Sequence, residues 1–258
     1  MKRIGLIGGM SWESTLEYYR LINEGVKLRL GGLHSAECLL YSVDFGPIEY
    51  FIRTDRWDSI AQILTLAAKT LEVAGAGFIV LCTNTMHKLA DRIQKEINIE
   101  LLHIADATAD EILKAGIKKV GLLGTQATME QEFYKSRLEI YGIQVLIPGE
   151  QDRKTVHEII FKELCLGKIR EESRSEYKRI IGDMVLRGVE GIILGCTEIP
   201  RLVKQEDAEV PLFDTTYIHA MKAVDMALNC YSANFLTLKT RVYGQIILIL
   251  FLFLVKIT

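Results

Sequence analysis

Ile79-Val80-Leu81-Cys82-Thr83-Asn84 ends an apolar run on a Cys-Thr pair, and Ile192-Ile193-Leu194-Gly195-Cys196-Thr197-Glu198 does the same past the middle of the chain. Each is preceded by a glycine-punctuated run: Gly5-Leu6-Ile7-Gly8-Gly9 in the first half, Gly121-Leu122-Leu123-Gly124-Thr125 in the second. The separations, 121 − 5 = 116 and 196 − 82 = 114, are nearly equal, so two half-sized units run in the same internal order. Between these runs, apolar residues recur at spacings of three and four. Short apolar runs alternating with helical stripes predict parallel α/β architecture.

Reading outward, Ile4 to Ile7 is a strand, and Ser11 is placed to cap a helix whose stripe is Leu16, Tyr19, Ile22, Val26 and Leu30, stopped by Gly31-Gly32. Glu37 to Val43 is the next strand, followed by a helix marked by Ile60, Ile63, Leu64, Ala67, Leu71 and Ala74. A helix through Met86, Leu89, Ile93 and Ile97 follows the strand at Phe78 to Leu81. The second half repeats the scheme with strands at 119–123, 143–147 and 192–194 and helices over 129–141, 153–165 and 171–187. A last strand at 211–213 and a helix over 216–229 are expected to fold back onto the first lobe, because the second half already holds its repeat equivalents. The expected fold is α/β with two pseudo-symmetric lobes, each a parallel sheet flanked by helices. Residues 1–105 with 208–230 form one lobe and 106–207 the other. The site lies in the cleft between them, beyond the carboxyl ends of the strands.

Composition narrows the function. The chain has 258 residues, 49% of them apolar and 25% charged, with a formal net charge of −2. No basic stripe is present, so a nucleic-acid surface is excluded as a main function. Five widely spaced cysteines without a Cys-x-x-Cys pair point to free thiols in a reducing cytoplasm. The histidines show no metal-ligand spacing, so no metal is expected. Residues 231–258 form an atypical apolar tail. Its continuous run from Ile246 to Val255 is shorter than the roughly 17–25 residues of a membrane-spanning helix. Three readings of it stand open: a non-native extension, a segment that docks on the protein or a second copy, and a weak membrane anchor.

The repeated elements carry the chemistry. Gly8-Gly9-Met10-Ser11 turns into a helix whose free N–H groups suit an anion. It lacks the Gly-x-Gly-x-x-Gly spacing of a dinucleotide site. A cysteine at a strand end before a helix can be a nucleophile or a base. Two such elements in matching places of a repeat favour a functional reading over two buried structural thiols.

These segments, Ile79 to His87, Ile192 to Pro200 and the opening Gly8-Gly9-Met10-Ser11-Trp12-Glu13-Ser14, resemble the aspartate/glutamate racemase family in its aspartate racemase branch, over about residues 1–230. The resemblance implies amino-acid racemisation without pyridoxal phosphate or any other cofactor. It also implies an amino-acid substrate, a homodimer, and acid–base groups on opposite faces of the α-carbon. In most members the first catalytic cysteine directly precedes the Asn. Here Thr83 holds that place and Cys82 sits one earlier. A shift of one residue turns a side chain to the opposite face, so only one can serve. Thr83 is the preferred partner of Cys196, with Cys82 as the alternate, and the two directions are then expected to be unequal. Met10, Asn84, Thr85, Thr125, Thr197 and Glu198 are the expected substrate-binding residues, with Arg53 as a carboxylate clamp. The rival readings are a single-cysteine decarboxylase-type lyase and an inactive amino-acid-binding protein.

Overall fold

The computed structural model describes residues 1–229; the apolar tail and Cys230 lie outside the described residues. Among the described residues, eight strands form two parallel four-stranded sheets. β1 (Ile4–Gly8), β2 (Cys38–Ser42), β3 (Phe78–Leu81) and β4 (Glu100–Leu102) lie in the order β2-β1-β3-β4. β5 (Lys119–Gly124), β6 (Gln144–Leu146), β7 (Gly191–Gly195) and β8 (Leu212–Asp214) repeat it as β6-β5-β7-β8. The two lobes expected from the repeat are therefore present, each with its first strand at an interior position.

Each sheet is covered on both faces, which is why its strands read as continuous apolar runs. On the first sheet, α3 (Trp57–Val73) and α4 (Ala90–Gln94) pack on one face over Ile7, Ile79 and Leu81. α1 (Trp12–Leu30) packs on the other over Ile4, Leu6, Phe78 and Val80. On the second, α8 (Glu150–Lys162), α9 (Glu171–Leu186) and α10 (Ile199–Leu202) cover Leu123, Ile192 and Leu194, while α5 (Ile104–Lys114) and α7 (Glu132–Ile140) cover Val120, Leu122 and Ile193.

The lobes exchange a helix. α5 follows the last strand of the first sheet and packs on the second; the helix over residues 215–229, α11, follows the last strand of the second sheet and packs on the first. The expected boundary is therefore wrong at one point. β8 pairs with β7 through Ile192↔Leu212, Ile193↔Phe213 and Leu194↔Asp214, so it belongs to the second lobe, and only the helix after it returns. The error follows from missing β4. That three-residue strand is the repeat mate of β8, and it follows so soon after the helical stripe ending at Ile97 that residues 100–102 were left unassigned. α5 was missed with it, as was α2 (Phe45–Arg53), which begins where Asp44 accepts a hydrogen bond from the Gly46 N–H at 3.1 Å.

The stripe on α1 also differs from expectation. Its buried face is Ser14, Thr15, Tyr18, Leu21, Ile22, Gly25 and Val26, while Leu16 and Tyr19 are exposed. Two small hydroxyl residues sit inward because the first turn of α1 lies against a glycine turn. A Cβ on Gly8 would stand 2.3 Å from Thr15 Cγ2, and Gly9 adopts φ +91°. Thr15 Oγ1 accepts from the Gly9 N–H at 2.8 Å. No helix among the described residues is long and apolar enough to cross a membrane.

Candidate active site

The carboxyl ends of four strands meet at a cavity of about 140 Å³. That is close to the roughly 150 Å³ of an engineered cavity that admits benzene, so it suits a small molecule. Met10 and Ser11 follow β1, and Thr83, Asn84 and Thr85 follow β3. Thr125 follows β5, and Cys196, Thr197 and Glu198 follow β7.

Strand register decides between Cys82 and Thr83. Ile7, one residue before the end of β1, pairs with Leu81; Leu123, one before the end of β5, pairs with Leu194. Leu81 is thus the counterpart of Leu194, Cys82 of Gly195, and Thr83 of Cys196. Side chains alternate along a strand. Ile79 and Leu81 share one face of β3 and Phe78 and Val80 the other; past the strand end Cys82 continues into the core with Phe78 and Val80, and Thr83 turns to the cavity. Cys82 is fully buried in the core beneath α1 and α11, and burial pushes its thiol up. It does not line the cavity; Thr83 does. The equal-offset pairing of Cys82 with Cys196 is therefore corrected by one residue.

Cys196 opens onto the cavity from the far lobe. Burial pushes its thiol up to about 12, while the backbone N–H groups of Glu198 and Ile199, at the start of α10, act in the opposite direction. The thiol is thus protonated at neutral pH. Glu198 is buried beside it. One carboxylate oxygen accepts from Ser14 Oγ at 3.4 Å and the other from the Arg201 guanidinium at 3.1 Å.

Hydroxyls stitch the lobes together around the cavity. Ser14 and Thr197 share a hydrogen bond of 2.5 Å, and Thr85 and Thr125 one of 3.4 Å. Thr125 also caps α6 (Gln126–Glu130), accepting from the Thr128 N–H. Behind them, Asn84 Nδ2 donates to Thr215 Oγ1 at 3.1 Å, and that hydroxyl donates to the Leu194 carbonyl. This chain fixes the amide, so Asn84 Oδ1 is left buried and unpartnered. It is an acceptor open to an N–H donor.

Beneath the Thr83-Asn84 turn lie three buried histidines. His87 Nδ1 donates to the Thr83 carbonyl at 2.8 Å. His219 Nε2 donates to the Leu102 carbonyl at 2.9 Å, so its Nδ1 must accept from the Tyr18 hydroxyl at 2.8 Å. His103 Nδ1 accepts from the Ala105 N–H and caps α5. The rings lie edge to face, 4.7 Å apart for His87–His103 and 5.5 Å for His87–His219. Burial lowers His87 to about 4 and His219 to about 3, and burial with the neighbouring His87 lowers His103 further. All three are neutral at pH 7. No group of His, Cys, Asp and Glu among the described residues is arranged to hold a metal ion.

One expected site residue is elsewhere. Arg53 does not line the cavity; its side chain is 70% exposed, 3.9 Å from Glu49. The last turn of α2 points Ile52 inward instead. Sequence reading also missed the outer wall: Phe45 and Ile52 from α2, His157, Ile160 and Phe161 from α8, and Cys165 from the turn after it. The spacing of His157, Ile160 and Phe161 marks one helical face, but nothing in the sequence says that this face meets the site.

A fold of two equivalent lobes with paired acid–base candidates at matching strand ends defines a class, and comparison with known proteins names it. The Asp/Glu/hydantoin racemase family profile matches residues 7–223, so the chain belongs to that family. It is 58% identical to a candidate Asp/Glu racemase of known crystal structure from Yersinia pestis, with a TM-score of 0.85 over 88% of this chain and 100% of that one. An aspartate racemase homologue from Pyrococcus horikoshii OT3 is 40% identical, with a TM-score of 0.79 over 88% of this chain and 99% of the other. The broad specificity amino-acid racemase of Bacillus subtilis is 23% identical across 87% of this chain and 98% of its own length.

Proposed function

We propose that this chain is a cofactor-independent amino-acid racemase in which Cys196 and Thr83 stand on opposite faces of the substrate α-carbon. The observation that carries this reading is the register equivalence of the two residues at the ends of β3 and β7, together with the single cavity they line. The Cys196 thiol first gives its proton to solvent, and the resulting thiolate takes the α-proton. The C–H electron pair passes into the α-carboxylate, whose developing charge faces N–H and O–H donors. The Thr83 hydroxyl delivers a proton to the other face, which leaves Cys196 as the resting thiol, and solvent reprotonates the Thr83 oxygen. A threonine hydroxyl donates far more readily than it abstracts, so the two directions differ in kcat and KM. Their kcat/KM values must agree, because enantiomers are equal in energy.

Asn84 Oδ1 takes the ammonium group, and the Thr85, Thr125 and Thr197 hydroxyls with the adjoining backbone N–H groups take the carboxylate. Met10 closes the floor. Glu198 bears on Cys196 and Ser14. A homodimer and a cytoplasmic setting belong to the same reading; the four cysteines among the described residues are free thiols. Incubation with L- and D-amino acids in D₂O tests it. Loss of the α-proton signal with appearance of the opposite enantiomer, and no CO₂, is expected. CO₂ release would establish the lyase, and binding without exchange an inactive binder.

A further inference from the structure

The outer wall of the cavity is where a substrate side chain must go if its α-carbon lies between Thr83 and Cys196. Its chemistry is specific. Phe45, Ile52, Ile160 and Phe161 make it apolar. Among the described residues no arginine or lysine lines the cavity, and Glu198 is the one carboxylate that does. A second substrate carboxylate would be buried there without a cation, which is costly. Besides the weak S–H donor of Cys165, one strong directional donor interrupts the apolar surface. His157 Nδ1 accepts from the Gln126 N–H at 3.2 Å. That bond fixes the neutral ring with its proton on Nε2, and the ring is held 4.7 Å from Phe161.

We propose that this wall selects uncharged amino-acid side chains, and that His157 Nε2–H reads an amide or hydroxyl oxygen on them. The assignment rests on the racemase reading and specifies its substrate class. His157 is then a specificity residue that touches the side chain and takes no part in proton transfer.

Asparagine, leucine and aspartate have nearly the same shape and separate charge from hydrogen bonding. The test is kcat/KM for α-proton exchange in D₂O with each of the three, on the full chain. Asparagine is expected to exceed leucine, and aspartate to fall at least tenfold below both. His157→Asn keeps an acceptor for the Gln126 N–H and removes the distal donor. Within that variant the asparagine-to-leucine ratio should drop by roughly five- to tenfold, the size of one hydrogen bond. An unchanged ratio would overturn the role of His157. Aspartate as the fastest substrate, with that activity lost in Arg53→Ala, would overturn the side-chain assignment while leaving the racemase reading intact. Exchange with no amino acid at all would sink both. Should the variant not fold, the ranking of the three substrates on the native chain still decides the charge claim.

Discussion

Acidification from pH 7 to pH 5 should remove a large part of this protein's stability, because the three histidines under the Thr83 turn cannot accept protons while the fold is intact. His87 is held at about 4, His219 at about 3 and His103 lower still, all below the roughly 6.5 of an unfolded chain. Folded values depressed in this way give stability that is complete above pH 6.5 and is lost as pH falls. Between pH 7 and 5 each histidine costs about 2 kcal/mol, so the three together cost roughly 6 kcal/mol. Against a typical domain stability of about 5–15 kcal/mol, that decides whether the fold survives. Carboxylates titrate mainly below this window. Urea denaturation at half-unit steps from pH 7 to 5 measures the slope, which should approach three protons, or about 4 kcal/mol per pH unit near pH 5. His103→Asn retains a good helix cap for α5 and removes one titrating ring, so its slope should fall by one proton. A native slope below one proton, or one that His103→Asn leaves unchanged, would mean that the buried rings do not set the acid stability. Protonation at the free Nε2 leaves the His87 Nδ1–H bond to the Thr83 carbonyl in place, so before unfolding the activity should follow only the pH dependence of the Cys196 thiol.

Three further outcomes are expected. Because the Cys196 thiol is pushed up to about 12, kcat/KM for α-proton exchange should rise about tenfold per pH unit between pH 6 and 8; a flat profile would mean the thiolate already exists at rest. Thr83→Cys replaces a poor base by a thiol of similar size, so kcat in the direction that uses residue 83 as base should rise at least tenfold in chiral-chromatography progress curves, and no change would count against Thr83. Gly8→Ala places a methyl 2.3 Å from Thr15 Cγ2, which should lower stability by about 1–3 kcal/mol in urea melts; an unaltered midpoint would show that the first turn of α1 can yield.

The two-lobed fold was legible because each sheet is buried on both faces, and continuous runs such as Phe78–Leu81 and Ile192–Leu194 stand out against the helices between them. The floor of the site was legible for the same reason: its residues directly follow those strands. Register was less so. The internal repeat, aligned by its cysteines, pairs Cys82 with Cys196, whereas hydrogen-bonded pairing through Ile7 and Leu123 shifts the match to Thr83. One short strand was not legible, although β6 and β8, equally short, were. β4 has three residues, and without it β8 was assigned to the wrong sheet. The outer wall was out of reach for a different reason. Phe45, His157 and Phe161 come from helix faces whose approach to the cavity depends on packing between layers, and Arg53 was favoured over Ile52 on charge alone when the helix turn selects Ile52.

The account rests on Thr83 and Cys196 working from opposite faces, and stereochemistry in D₂O tests this most directly. Thr83→Ala should abolish inversion yet still exchange the α-proton of one enantiomer with retention, through Cys196 alone. Cys196→Ala should show neither, and Cys82→Ala should racemise like the native chain. Full racemisation by Thr83→Ala, with activity lost in Cys82→Ala, would contradict the account.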